Sequence, residues 1–180
     1  DAKRGDIGTT MDAYAQAWLE PDSPLSSDAV TVSPYLGFDS LGETVDRAVR
    51  HRRGLFVLAR TSNAEGSALQ QAATSNGGSV AQSIVDAAAA RNRVDADTVG
   101  IVVGATRDHG LDLSNYTGPI LAPGLGAQGA TVADLAEIFR YSRELLLPNS
   151  SRGVLAAGPS VTALRDAATR LRDEIEAGLA

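Results

Sequence analysis

The sequence predicts a parallel α/β barrel, on three observations. Uninterrupted apolar runs such as 55–59 and 99–103 have the composition of strands buried on both faces of a parallel sheet. Amphipathic helical patterns alternate with these runs along the chain, as parallel α/β folds require. Ser62, the glycine-rich loop 123–130 and Arg152 each come after a strand-like run, and such barrels carry their chemistry at the C-terminal strand ends.

Composition fits a soluble cytoplasmic domain. Of 180 residues, 43% are hydrophobic and 21% charged, enough apolar material for a core. The net charge of −6 argues against nucleic acid or an anionic membrane as partner, while leaving room for a local basic pocket. With zero cysteines there is neither a disulfide framework nor a thiol nucleophile. No apolar run approaches membrane-spanning length, and no signal peptide is visible.

The chain opens on DAKRGDIGTT, in which Asp1, Lys3 and Asp6 place three charges within six positions. On a strand, residues two apart share a face, so Asp1 and Lys3 project together. Gly5 ends that strand, and Asp6 leaves on the turn with a different heading. A carboxylate and an ammonium held side by side set each other's charge state, which suits proton transfer. The competing reading is a solvated run of charges.

Met11, Tyr14, Ala15, Trp18 and Leu19 form one apolar helical stripe, capped by Thr9 or Thr10 and stopped by Pro21. Trp18 belongs to the core or to a subunit interface. Residues 29–32 read as a strand. Ser40 and Glu43 predict a capping box for a helix carrying Leu41, Val45, Ala48 and Val49. His51, Arg52 and Arg53 close that helix, and their charge suits its negative end better than catalysis.

The strand at 55–59 delivers Arg60, Thr61, Ser62 and Asn63 at its end, where Ser62 or Asn63 could equally cap a helix. A loop-like segment through Asn76-Gly77-Gly78 leads to Ser79 and Gln82, which cap a helix bearing Val80, Ile84, Val85 and Ala88. After the strand at 99–103, residues 107–118 read as a polar loop. Its Asp108-His109 pair is a solvated turn rather than a metal site, for want of further ligands nearby. The strand 120–122 runs into the glycine-rich loop 123–130, whose backbone amides can approach an anion ahead of a helix starting near Thr131. That helix shows Val132, Leu135, Ile138 and Phe139 on one face. Leu145-Leu146-Leu147 leads to Arg152, which at a strand's end can grip a phosphate with two parallel hydrogen bonds or form a surface ion pair. The last helix, capped by Ser160, carries Val161, Leu164, Ala168, Leu171 and Ile175.

DAKRGDIGTT resembles the D-x-K-x-x-D-I motif, with a Thr close behind, of the orotidine 5′-phosphate decarboxylase family. PYLGFDSL, TSNAEG, APGLGAQGA and NSSRG are similar, in order, to the family's bacterial branch that includes the mycobacterial enzymes. The resemblance implies a (β/α)8 barrel and cofactor-free conversion of orotidine monophosphate to uridine monophosphate and carbon dioxide. It makes Asp1, Lys3 and Asp6 catalytic, with Asp6, Ile7 and Thr10 supplied across a homodimer interface. Ser62 would bond the pyrimidine ring, Gln128 and Arg152 the phosphate, and Pro123 and Gly129 would belong to the loop that closes over the substrate. Where that family commonly has proline, this chain has Ala64.

A complete barrel of this kind needs roughly 250 residues, with about 200 as a lower limit. The chain therefore reads as a single domain over 1–180, the C-terminal portion of a barrel with about six of its eight strand–helix units. The alternatives are a magnesium-dependent sugar-phosphate decarboxylase or aldolase of the same superfamily, and an incomplete barrel that catalyses nothing.

Overall fold

Five parallel strands pair in chain order: β1 (Ala29–Val32), β2 (Gly54–Arg60), β3 (Val99–Val103), β4 (Ile120–Pro123) and β5 (Leu146–Asn149). The helices are α1 (Gly8–Leu19), α2 (Gly42–His51), α3 (Ser67–Gln70), α4 (Val80–Asn92), α5 (Val132–Ile138), α6 (Arg152–Leu155) and α7 (Val161–Leu179). This computed structural model describes residues 1–95, 98–106, 108–126 and 128–180; Arg107 and Ala127, both in loops anticipated from sequence, lie outside them.

Among the described residues the sheet is open and has five strands. The opening segment contributes only a parallel bridge from Arg4 to Val32. Lys3 is the reason: its φ of 51° is left-handed and interrupts an extended chain. Helices also fail to alternate throughout, since β3 reaches β4 through a loop without a helix among its described residues. Tyr116 anchors that loop by donating to the carbonyls of Val99 (2.9 Å) and Pro119 (3.1 Å).

One sheet face packs on helices. Leu55, Val57 and Ala59 of β2 and Ile101 of β3 are buried with Met11, Leu19, Leu41, Val45, Ile84 and Val85 in one core. Each of the larger side chains contributes about 1.5–3 kcal/mol by leaving water. All of β3 is buried, as its apolar run predicts, but β2 is buried only at alternate positions from Gly54 to Ala59. Phe56 and Leu58 lie half-buried on the other face, so the reading of β2 as doubly covered is corrected. Gly100 is required opposite Phe56: a Cβ there would stand 2.5 Å from the ring.

Several helix starts differ from the sequence reading. Ile7 is the α1 cap residue, and neither Thr9 nor Thr10 caps it, because both already lie within the first turn. The Ser40–Glu43 capping box is absent, since a 3-10 turn at Phe38–Leu41 precedes α2 and the Ser40 hydroxyl donates back to the Gly37 carbonyl (2.7 Å). Ser79 does cap α4 by accepting from Gln82 N (3.0 Å), but the Gln82 side chain turns to Asp86. A reciprocal box forms instead at Thr131 and Asp134, ahead of α5. Ser160 caps α7 as expected. Residues 64–70, expected to be loop, make two single turns. Between α1 and α2, Arg47 joins Asp12 (2.5 Å) and Glu20, and His51 reaches Glu20 at 3.1 Å.

Asn92, buried at the end of α4, bonds both backbone groups of Val99: its amide donates to the carbonyl (2.8 Å) and its oxygen accepts from the N–H (3.0 Å). Asn92→Ala leaves the buried N–H without that partner and is expected to cost about 2–3 kcal/mol. A lower urea midpoint at unchanged slope would show it; an unchanged midpoint would mean the contact is dispensable.

Candidate active site

The opening segment lies along β1. Lys3 N donates to the Thr31 carbonyl and Ser33 N to the Arg4 carbonyl, each at 2.8 Å. Gly5 is needed for this approach, because a Cβ there would lie 2.1 Å from the Ser33 oxygen. Asp1 and Lys3 do meet: the ammonium donates to Asp1 Oδ2 at 2.5 Å. They meet through the left-handed Lys3 backbone rather than through the strand alternation anticipated from the spacing. With Lys3 49% and Asp1 65% exposed, the pair adds little stability, so its interest is chemical.

The second Asp1 oxygen is also occupied. Oδ1 accepts from the hydroxyl of Thr31 at 2.7 Å, and the same hydroxyl accepts from the N–H of Ala2 (2.9 Å) and Lys3 (3.1 Å). Asp1, Lys3 and Thr31 form one wall of a depression of about 310 Å³. Phe56, Val102 and Leu121 also line it, together with Pro123, Asn149 and Ser151 from the β4 and β5 ends. Its size is at the lower end for small-molecule sites.

Ser62 follows β2, with Gly104 pressed against it: a Cβ on Gly104 would lie 2.8 Å from Ser62 N. The Ser62 hydroxyl donates to Gln128 Oε1 at 3.2 Å, joining two residues 66 positions apart. Gln128 rides on the loop after β4, where Gly124 and Gly129 adopt φ of 121° and 97°, a conformation that favours glycine. Arg152, the first residue of α6, is exposed next to Ser151, and its side chain makes no hydrogen bond or ion pair with a described residue. Asp6, Ile7 and Thr10 are not gathered here. Asp6 Oδ1 accepts from Ile7 N at 2.8 Å, and Ile7 lines a separate groove with Met11, Asp39 and Glu43.

Arg60, expected to be delivered at the strand end, is a buried support at 3% exposure. It donates to Gln70 Oε1 (2.9 Å), which also accepts from Thr61 N (3.0 Å) and so shapes the turn into Ser62. Asn63 caps no helix; its side chain accepts from the Thr61 hydroxyl and donates to Glu65. Thr31 was missed in the sequence because it sits in an otherwise apolar strand. Its signal is the one hydroxyl in AVTV.

Fold and site together define a class: parallel (β/α)-barrel-type proteins with a charged site at the C-terminal strand ends. The chain belongs to the orotidine 5′-phosphate decarboxylase / HUMPS family, whose model matches residues 1–167. It is 53% identical over 182 residues to an orotidine 5′-phosphate decarboxylase of Salinispora arenicola, covering 99% of this chain and 66% of the relative. The Corynebacterium glutamicum (strain R) protein of that name is 50% identical over 175 residues, covering 94% and 63%. The structure of Leishmania donovani OMP decarboxylase superposes with a TM-score of 0.77 at 32% identity, over 99% of this chain and 67% of that one. The chain thus spans slightly less than two thirds of the length of the first two relatives.

His109 is not the solvated residue of the sequence reading. Its ring lies 5.3 Å from that of Phe139, and Nδ1 accepts from Leu111 N at 3.0 Å. Burial pushes its pKa below the usual 6.5, with Arg60 acting the same way and Asp108 and the Ile138 carbonyl opposing. The unfolded chain takes a proton near pH 6.5 and the folded one only lower, so this stability is full above 6.5 and lost as pH falls through the folded value. Between about pH 7 and 5, the natural chain should therefore lose more stability than His109→Gln. Parallel urea midpoints across that range would contradict this.

Proposed function

We propose that the protein carrying this chain decarboxylates orotidine 5′-monophosphate to uridine 5′-monophosphate and carbon dioxide, without a cofactor, in pyrimidine biosynthesis. The observation that carries the reading is the 2.5 Å Asp1–Lys3 pair standing in the depression of a chain whose family match runs over 1–167.

In this reading Gln128, Gly129 and Arg152 hold the phosphate, and Ser62 reads the pyrimidine. Pro123 belongs to the closing loop. Binding energy from the phosphate holds the reacting carbon against Lys3. Asp1 lies beside the departing carboxylate, where like charges disfavour the ground state. The carbon–carbon bond breaks, carbon dioxide leaves, and the electron pair stays on the ring carbon. The Lys3 ammonium stabilises that carbanion and then gives it a proton, completing the product.

The protein acts as a cytoplasmic homodimer in which Asp6, Ile7 and Thr10 complete the partner's site. The exposure of Ile7 (62%) and Thr10, with Asp6 half-buried beside them and Ile7 outside the Asp1–Lys3 depression, supports this arrangement.

Turnover of the natural protein at its native length, followed by loss of orotate absorbance, should be unchanged by chelator. Loss of activity with chelator would move the reading to the magnesium-dependent sugar-phosphate enzymes. Arg152→Ala should weaken nucleotide binding by about ten- to a hundredfold, the effect of one charge-assisted contact, and leave the phosphate-free nucleoside unaffected. Equal effects on both ligands would make Arg152 structural.

A further inference from the structure

We propose that Thr31 is the positioning residue of this site, setting the heading of the Asp1 carboxylate and the path of the backbone into Lys3; the proposal rests on the decarboxylase reading above. A threonine hydroxyl has one proton to donate and two lone pairs to accept with. All three are used on the opening motif: the proton on Asp1 Oδ1, the lone pairs on the N–H groups of Ala2 and Lys3. The side chain is 5% exposed, on a strand paired to β2 over its whole length. Its β-branched χ1 is stiff, so the hydroxyl is fixed before any ligand arrives.

Asp1 needs such a guide. An exposed ion pair holds two mobile side chains poorly, and nothing in the Asp1–Lys3 contact alone selects where the carboxylate points. Thr31 binds one oxygen and Lys3 the other, so the carboxylate is held from both sides. Catalytic geometry must be kept within about 0.5 Å, and a support on a strand achieves that better than one on a loop. A valine at this place would keep the shape and lose the three hydroxyl bonds to Asp1, Ala2 and Lys3.

The test uses the natural protein at its native length, with Thr31→Val, Thr31→Ala and Thr31→Ser. Both hydroxyl-free variants should lower kcat for orotidine monophosphate about ten- to a hundredfold, the range for losing a bond to a charged group, with KM nearly unchanged. The serine variant should recover most of that loss. Amide exchange supplies a readout independent of turnover. The Ala2 N–H should exchange faster without the hydroxyl, whereas the Lys3 N–H keeps its 2.8 Å bond to the Thr31 carbonyl and stays protected. Unchanged kcat, a loss confined to KM, equal impairment of Ser and Val, or unchanged Ala2 exchange would each overturn the proposal. Natural protein that leaves orotidine monophosphate intact would sink the functional reading instead, and Ala2 exchange would still decide whether Thr31 is the clamp.

Discussion

Parallel pairing is the constraint on which the rest of this structure depends. Because β1 to β5 all run the same way, whatever follows each strand emerges on one rim. Ser62 after β2, Gln128 after β4 and Arg152 after β5 are far apart in sequence, yet Ser62 and Gln128 touch. The opening motif joins this rim by lying along β1, with Asp1 and Lys3 beside the same depression as Pro123 and Ser151. An antiparallel sheet would send alternate loops to the opposite end.

What was legible in the sequence follows from the same constraint. Buried parallel strands need continuous apolar runs, and such runs are conspicuous; the spans of β1 and β3 were read to the residue. Helices with a stripe of apolar residues were equally plain, because 3.6-residue periodicity survives in a linear string. Ser62 and Gln128 could be singled out because each follows such a run. Their mutual hydrogen bond could not, since it depends on how β2 and β4 lie across β3.

Local chemistry was harder to read, for physical reasons that differ from case to case. Capping patterns at Ser40 and Thr9 are local preferences, and the actual chain path overrode them. Arg60 was read only as part of the polar stretch that ends β2; a register shift between Leu58 and Arg60 goes with its burial among Gln70 and Ser67, which the sequence did not announce. Lys3 reached Asp1 through a left-handed backbone that no spacing rule anticipates. Thr31 shows the opposite failure: a single hydroxyl in an apolar strand carries no pattern, and its meaning appears only when the opening segment lies against it.

The central claim is that the rim of these strand ends is one nucleotide site, with the base at Lys3 and Ser62 and the phosphate at Gln128 and Arg152. The most direct measurement is a crystal structure of the natural protein, at its native length, with uridine monophosphate bound. The account predicts the ring within hydrogen-bond reach of Ser62, its reacting carbon against the Lys3 ammonium, and phosphate oxygens about 2.7–3.2 Å from Arg152 and Gln128. A nucleotide bound away from Lys3, or a phosphate held by neither Gln128 nor Arg152, would contradict it.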